Sequence, residues 1–194
     1  MKKYLLVIAL VAISIGSVSA QVVWGARVGF SKPTMNGDKE YWKGKFGLEF
    51  GPVLYYSLKD NWYLNSGAQL SFKKFSDEDY SYNNSYTVTC VDIPIYAGYA
   101  FKAGKVSLYT QAGPYATIRV AEKAKEELPG GGSKSGSDDR ISPFNAGLGI
   151  MFGINVQKFK IEAGYQMGLT NIWKEDYGYT SKVNSLFLGV SYVF

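Results

Sequence analysis

The sequence predicts an all-β chain, an eight-stranded antiparallel up-and-down transmembrane β-barrel. Three observations predict it. Eight segments alternate apolar residues with small or polar ones, the period-two signature of a strand. The connections between those segments alternate short and long. The non-apolar faces are dominated by Gly, Ser, Thr, Asn and Gln rather than by Lys and Glu, in a 194-residue chain of which only 19% is charged.

Composition narrows the chemistry before any motif is sought. Glycine (22) and tyrosine (16) are in excess. Glycine is costly inside helices, so a helical bundle is disfavoured. There is no histidine and one cysteine. The commonest general base and transition-metal ligand are therefore missing, as is any intrachain disulfide or thiolate zinc site. A non-enzyme is expected, with no cofactor and no bound metal.

Residues 1–20 read as a cleaved secretory signal peptide. Lys2 and Lys3 precede an apolar run from Tyr4 to Ile15, and Val18-Ser19-Ala20 fits the small-x-small cleavage pattern before Gln21. Its removal takes two lysines and no acid from a formal +5 and leaves +3. That mild, scattered charge carries no nucleic-acid meaning. Residues 21–194 then form the barrel. Downstream of the leader, the longest uncharged window, Ile141 to Gln157, contains Pro143, Asn145, Asn155 and three glycines, so it is not a membrane helix.

The strands are read in order. The first, near 22–32, carries Trp24, Ala26, Val28 and Phe30 on one face. The second, near 45–58, carries Phe46, Leu48, Phe50, Pro52, Leu54 and Tyr56. The third, near 61–74, carries Trp62, Leu64, Ala68, Leu70 and Phe72. The fourth, near 86–102, carries Val91, Ile93, Ile95, Ala97, Tyr99 and Phe101. The fifth, near 105–120, carries Val106, Leu108, Ala112 and Ile118. The last three run from Phe144 to Val156, Phe159 to Leu169 and Ser185 to Phe194 with the same alternation. Pro52 and Pro94 predict local bulges, because proline cannot donate to a ladder.

Short connections fall near Lys59-Asp60-Asn61, Ala103-Gly104 and Gln157-Lys158. Long ones fall near 32–44, 75–85, 121–141 and 173–182. This pattern places both termini and the short turns in the periplasm and the long loops outside. A soluble lipocalin-like barrel has the same period, but its wet face should be rich in Lys and Glu. Here the uninterrupted Val, Leu, Ile and Phe face suits lipid, and the small-residue face suits a crowded lumen. Aromatic residues at strand ends form two interface girdles. Trp24, Tyr56, Trp62, Tyr99, Phe101, Phe159, Tyr192 and Phe194 mark the periplasmic rim, and Phe30, Phe46, Phe72, Phe144 and Trp173 the outer rim.

Specific runs resemble the PorT-like small outer-membrane β-barrel family, often labelled "porin family". They are Val91-Asp92-Ile93-Pro94-Ile95-Tyr96-Ala97-Gly98-Tyr99, Gly113-Pro114-Tyr115, Gly147-Leu148-Gly149 and Ile161-Glu162-Ala163-Gly164-Tyr165-Gln166-Met167-Gly168-Leu169-Thr170-Asn171. Val190-Ser191-Tyr192-Val193-Phe194 is similar to the C-terminal signal that barrel-assembly machinery reads. The resemblance spans residues 21–194. It implies an integral outer-membrane barrel, mostly of a passive kind, with a few members serving in type IX secretion.

The lumen-facing charges are Arg27, Glu49, Asp92, Arg119 and Glu162, with Lys73, Lys105 and Lys160 nearer the rims. A hairpin centred near residue 38 sets Arg27 opposite Glu49, and the next long hairpin sets Gln69 near Asp92. An Arg27–Glu49–Asp92 network aided by Tyr109 and Tyr115 is therefore expected, since a buried charge must be paired. Those pairs would plug the lumen; the alternative is a narrow porin-like channel or a component of a type IX-like secretion apparatus. The acidic, aromatic stretch Asp77 to Tyr82 lacks the spacing of a calcium loop and reads as solvated. Gly130 to Ser137 reads as a mobile Gly/Ser segment that does not match a phosphate loop. Cys90 reads as a packed free thiol. The expected partners are outer-membrane lipid, the assembly machinery at Phe194 and a protein docked on the outer loops. The expected state is a monomer.

Overall fold

The computed structural model describes residues 22–37, 42–79, 82–104, 106–127, 133–136, 142–173, 178 and 180–194. The segment read as a leader lies outside them. The strands are β1 (Val22–Gly37), β2 (Trp42–Lys45), β3 (Gly47–Ser57), β4 (Trp62–Gly67), β5 (Gln69–Asp79), β6 (Tyr82–Ala103), β7 (Val106–Glu127), β8 (Ser133–Gly136), β9 (Phe144–Val156), β10 (Phe159–Gly168) and β11 (Ser181–Val193).

All pairings are antiparallel, and they close on themselves. β1 pairs with β3 and β11; β4 and β5 form one stave between β3 and β6; β6 pairs with β7; β7, β9, β10 and β11 follow in turn. The result is an up-and-down ring of eight staves. Closure leaves no edge and pairs the backbone groups of every stave on both sides. β2 and β8 lengthen two staves beyond the ring by pairing with β5 and β7.

The three short turns lie where the sequence places them. Asp60, Asn61 and Gln157 take positive φ, at 56°, 67° and 56°, and Gly104 takes 64°. Tight hairpins need this left-handed conformation, which Asn and Gly adopt most cheaply. The opposite end differs from the expected loops. The β5–β6 ladder runs unbroken to Asp79↔Tyr82, and β7 continues to Glu127, with Glu126 paired to Lys134 of β8. The stretches near 75–85 and 121–141 are thus largely climbing β-hairpin. Part of the Gly/Ser segment, Ser133–Gly136, is strand; 128–132 and 137–141 lie outside the described residues.

The proline bulges are also corrected. Val53↔Gly67 and Phe50↔Leu70 keep one register on either side of Pro52. Two donors are missing around Ala68, from Pro52 and Pro94, so the stave is interrupted there without a shift. The register shift lies instead at Thr89/Cys90: Thr89 faces Ala121 and Cys90 faces Arg119, which makes Val120 an extra residue.

Alternation sorts the side chains as expected. Val28, Phe30, Phe152, Leu186 and Leu188 point outward and are exposed, while Arg27, Gly29, Ser31, Phe187 and Gly189 point inward and are buried. Three clusters of buried residues lie in the interior. Val53, Tyr55, Tyr63 and Tyr109 occupy the short-turn end; Tyr96, Tyr115, Met151 and Phe187 the middle; Met35, Phe75, Val88, Cys90 and Ile172 the long-hairpin end.

Candidate functional site

The lumen-facing polar side chains converge in two groups. In the first, Arg27 Nε lies 2.6 Å from a carboxylate oxygen of Glu162. Ser191 sits between them. It receives a long hydrogen bond from Arg27 (3.4 Å) and donates to Glu162 (3.1 Å), while the Tyr109 hydroxyl donates to the other Glu162 oxygen at 2.7 Å. In the second, Lys73 Nζ lies 3.1 Å from Asp92. Asp92 also accepts hydrogen bonds from Ser71 (2.6 Å) and from Thr117. Arg27, Glu162 and Asp92 are each at most 3% exposed.

This replaces the expected Arg27–Glu49–Asp92 network. The β1–β3 register is offset by two residues from a hairpin centred on 38, so Arg27 faces Gly51 and Glu49 faces Gly29. Glu49 keeps its lumen face and is buried, within the field of Asp92, Arg27, Lys73 and Glu162. It makes no hydrogen bond or ion pair among the described residues. Gln69 does face Asp92, and its side chain donates to the Pro52 carbonyl at 2.8 Å. Tyr115 packs with Tyr96 and Met151 rather than joining either ionic group. Lys73 was expected nearer the rim, but its long stem reaches down past Ser71 to Asp92.

Arg119 pairs with Glu122, which also accepts from Tyr86 at 2.8 Å. Three residues apart on a regular strand, Arg119 and Glu122 would face opposite sides. The extra residue Val120 turns them to one side. Sequence parity missed Glu122 for that reason. It also missed Ser191, Thr117 and Gln166, which donates to the Tyr96 hydroxyl at 3.3 Å. Strict parity along β7, β10 and β11 was the available signal for Thr117, Gln166 and Ser191.

The periplasmic-rim aromatics meet in pairs: Trp62 with Tyr99 (5.2 Å), Phe159 with Tyr192 (5.2 Å) and Tyr192 with Phe194 (5.5 Å between centroids). Trp24, Tyr56 and Phe101 are also on the outward face. Trp173 is the exception to the girdles. Ile172 is tied by backbone hydrogen bonds to Ser142 and Ser181, so the chain beyond β10 stays between the neighbouring staves, and Trp173 packs on the interior cluster of Met35, Phe75 and Cys90.

A family model described as the outer membrane protein β-barrel domain matches residues 14–174. The chain belongs to this family. As an outer-membrane barrel, it presents its outward Val, Leu, Ile and Phe residues to lipid hydrocarbon. No curated protein matches the chain. Among solved structures it is similar to the attachment invasion locus protein Ail of Yersinia pestis, solved with the heparin analogue sucrose octasulfate. That match has 19% identity, covers 90% of this chain and 99% of that one, and has a TM-score of 0.43. Neisserial surface protein A is 14% identical, with 89% and 97% covered and a TM-score of 0.44. The N-terminal β-barrel domain of Pseudomonas aeruginosa OprF is 13% identical, with 88% and 97% covered and a TM-score of 0.32.

Proposed function

We propose that the protein is a side-chain-filled outer-membrane barrel that conducts no solute and works through its tall hairpins, which dock a protein partner. The observation that carries this reading is the stacking of buried side chains across the lumen: Tyr109 with Arg27–Glu162, then Tyr96 and Met151, then Asp92–Lys73. Paired charges with hydroxyl partners are stable in such a space, and eight strands leave room that side chains can fill. Planar-bilayer recordings of the purified protein are expected to show no steady single-channel openings. Steady openings would overturn the filled-lumen reading.

The same reading makes the protein a monomer and a non-enzyme, since Asp92 and Glu162 are engaged in ion pairs rather than poised as acid and base. It includes export through a leader cleaved after Ala20, assembly directed by the strand ending in Phe194, and the PorT-like affiliation carried by the Asp92-Ile93-Pro94 strand. Mass spectrometry of the purified protein should find a chain beginning at Gln21. In-cell crosslinking from Lys123 or Lys182, both exposed on the hairpins, should capture a discrete protein.

A further inference from the structure

The short-turn end of the barrel is not filled flush. A cavity of about 390 Å³ opens there, bordered by the lumen-facing residues Val23, Tyr55, Tyr63, Lys160 and Val193 and by Trp62 of the turn. Its volume lies at the lower end of small-molecule sites, roughly 300–1,000 Å³. Most of that wall is apolar or aromatic. Lys160 supplies its charge, and Ser57 and Asn61 add polar groups at the border.

Lys160 opens β10 on the lumen face. Its Nζ lies 4.4 Å from the ring centroids of Tyr55 and Tyr109 and 5.3 Å from that of Tyr63. The cage is braced from behind. Tyr63 donates to Gln111 at 3.3 Å, Tyr109 donates to Glu162 at 2.7 Å, and the rings contact each other edge to face at 6.0 and 6.3 Å. Ring faces attract the ammonium but accept its hydrogen bonds poorly, and an ammonium has three donors to satisfy. Among the described residues no carboxylate lies within 4.0 Å of Lys160 Nζ, and no hydrogen bond from it is made. Arg27 and Lys73, by contrast, each hold a carboxylate within the lumen.

We infer that this vestibule binds a small amphiphilic organic anion, its carboxylate or sulfonate on Lys160 and its apolar body against Tyr63, Val23 and Val193. The site is separate from the hairpins and independent of whether the lumen conducts. A fixed ammonium set among aromatic walls favours an anionic head joined to an apolar body, because the charge gains a partner while the body leaves water.

The test uses the barrel in phosphatidylcholine nanodiscs with 4-fluorobenzoate as probe, followed by fluorine NMR line broadening. Saturable binding is expected, weakened about tenfold or more by Lys160→Met and restored by Lys160→Arg. The neutral isostere 4-fluorobenzamide should not saturate. Heat-modifiable gel mobility reports whether each variant is folded. Val23→Trp, which fills the cavity and leaves the lysine in place, should also abolish binding. Absence of saturable binding by the unmodified protein overturns the inference. So does equal binding by folded Lys160→Met, by Val23→Trp, or of the neutral isostere.

Discussion

Arg27 on β1 and Glu162 on β10 form an ion pair at 2.6 Å although their strands do not touch. β11 lies between them, and its Ser191, opposite both Arg27 and Lys160, bridges the pair. Three staves are thereby joined by side chains as well as by ladders. Removing one partner leaves a buried charge unpaired, which costs about 3–5 kcal/mol. Glu162→Leu and Arg27→Met are each expected to destabilise by that amount. The double variant should be less destabilised than their sum. Urea unfolding in lipid vesicles, read by heat-modifiable mobility, measures this; simple additivity would show that the pair is not coupled.

Tyrosine and glycine sit side by side on adjacent strands of the inner wall. Tyr63 pairs with Gly98, and Tyr109 with Gly153. A Cβ at Gly98 or Gly153 would overlap the ring of the tyrosine opposite. Part of the excess of both residue types therefore has one cause, since these rings lie over positions with no side chain, as do Tyr96 over Gly149 and Tyr115 over Gly147. Gly153→Val should push Tyr109 off Glu162 and destabilise by about 1–3 kcal/mol, as overpacking does. In a Tyr109→Ala background the same change should cost clearly less. An equal cost in both backgrounds, measured by the same unfolding assay, would contradict the ring-over-glycine packing.

Much of this was legible in the sequence. Facing is readable because one face is apolar along nearly every strand, and Arg27, Glu49, Asp92 and Glu162, on the other face, are buried. Partner choice is not readable, because it depends on register and on stave order. A two-residue offset at the first hairpin sends Arg27 to Gly51, and closure brings β10 within reach of β1 through β11. The girdle reading failed at Trp173 because that residue follows the end of β10, where strand parity no longer applies. Lys73 is placed near the rim by the height of its Cα atom, whereas a lysine's charge lies a long stem away from its backbone.

The outward face makes a position-specific prediction. Leu188 is 60% exposed in the middle of β11 and faces away from the lumen. Leu188→Arg should destabilise insertion by about 2–4 kcal/mol, the cost of a cation near the bilayer midplane of a barrel. At Gly189, one residue along, a Cβ would meet Phe187 and the Val28 backbone. Small replacements alone should be accepted there, whatever their polarity. Folding yield into vesicles across a set of substitutions at both sites distinguishes the faces. Tolerance of Arg at 188 together with rejection of Leu at 189 on polarity rather than size would invert the assignment.

Val120 gives the sharpest test of the β7 bulge. Deleting a residue from a regular strand shifts everything beyond it by one and moves the inward set outward. At a bulge the reverse holds, since the extra residue has no partner. With Val120 deleted, Ala121 would still face Thr89 and Arg119 would still face Cys90, so Arg119 and Glu122 would remain on the lumen side at regular spacing. Deletion of Val120 is therefore expected to leave folding yield and heat-modifiable mobility near those of the unmodified chain. Deletion of Ala116, within the regular part of the same strand, should abolish both. If the two deletions were equally damaging, the register shift at Thr89/Cys90 would not be the reason Arg119 and Glu122 share a side.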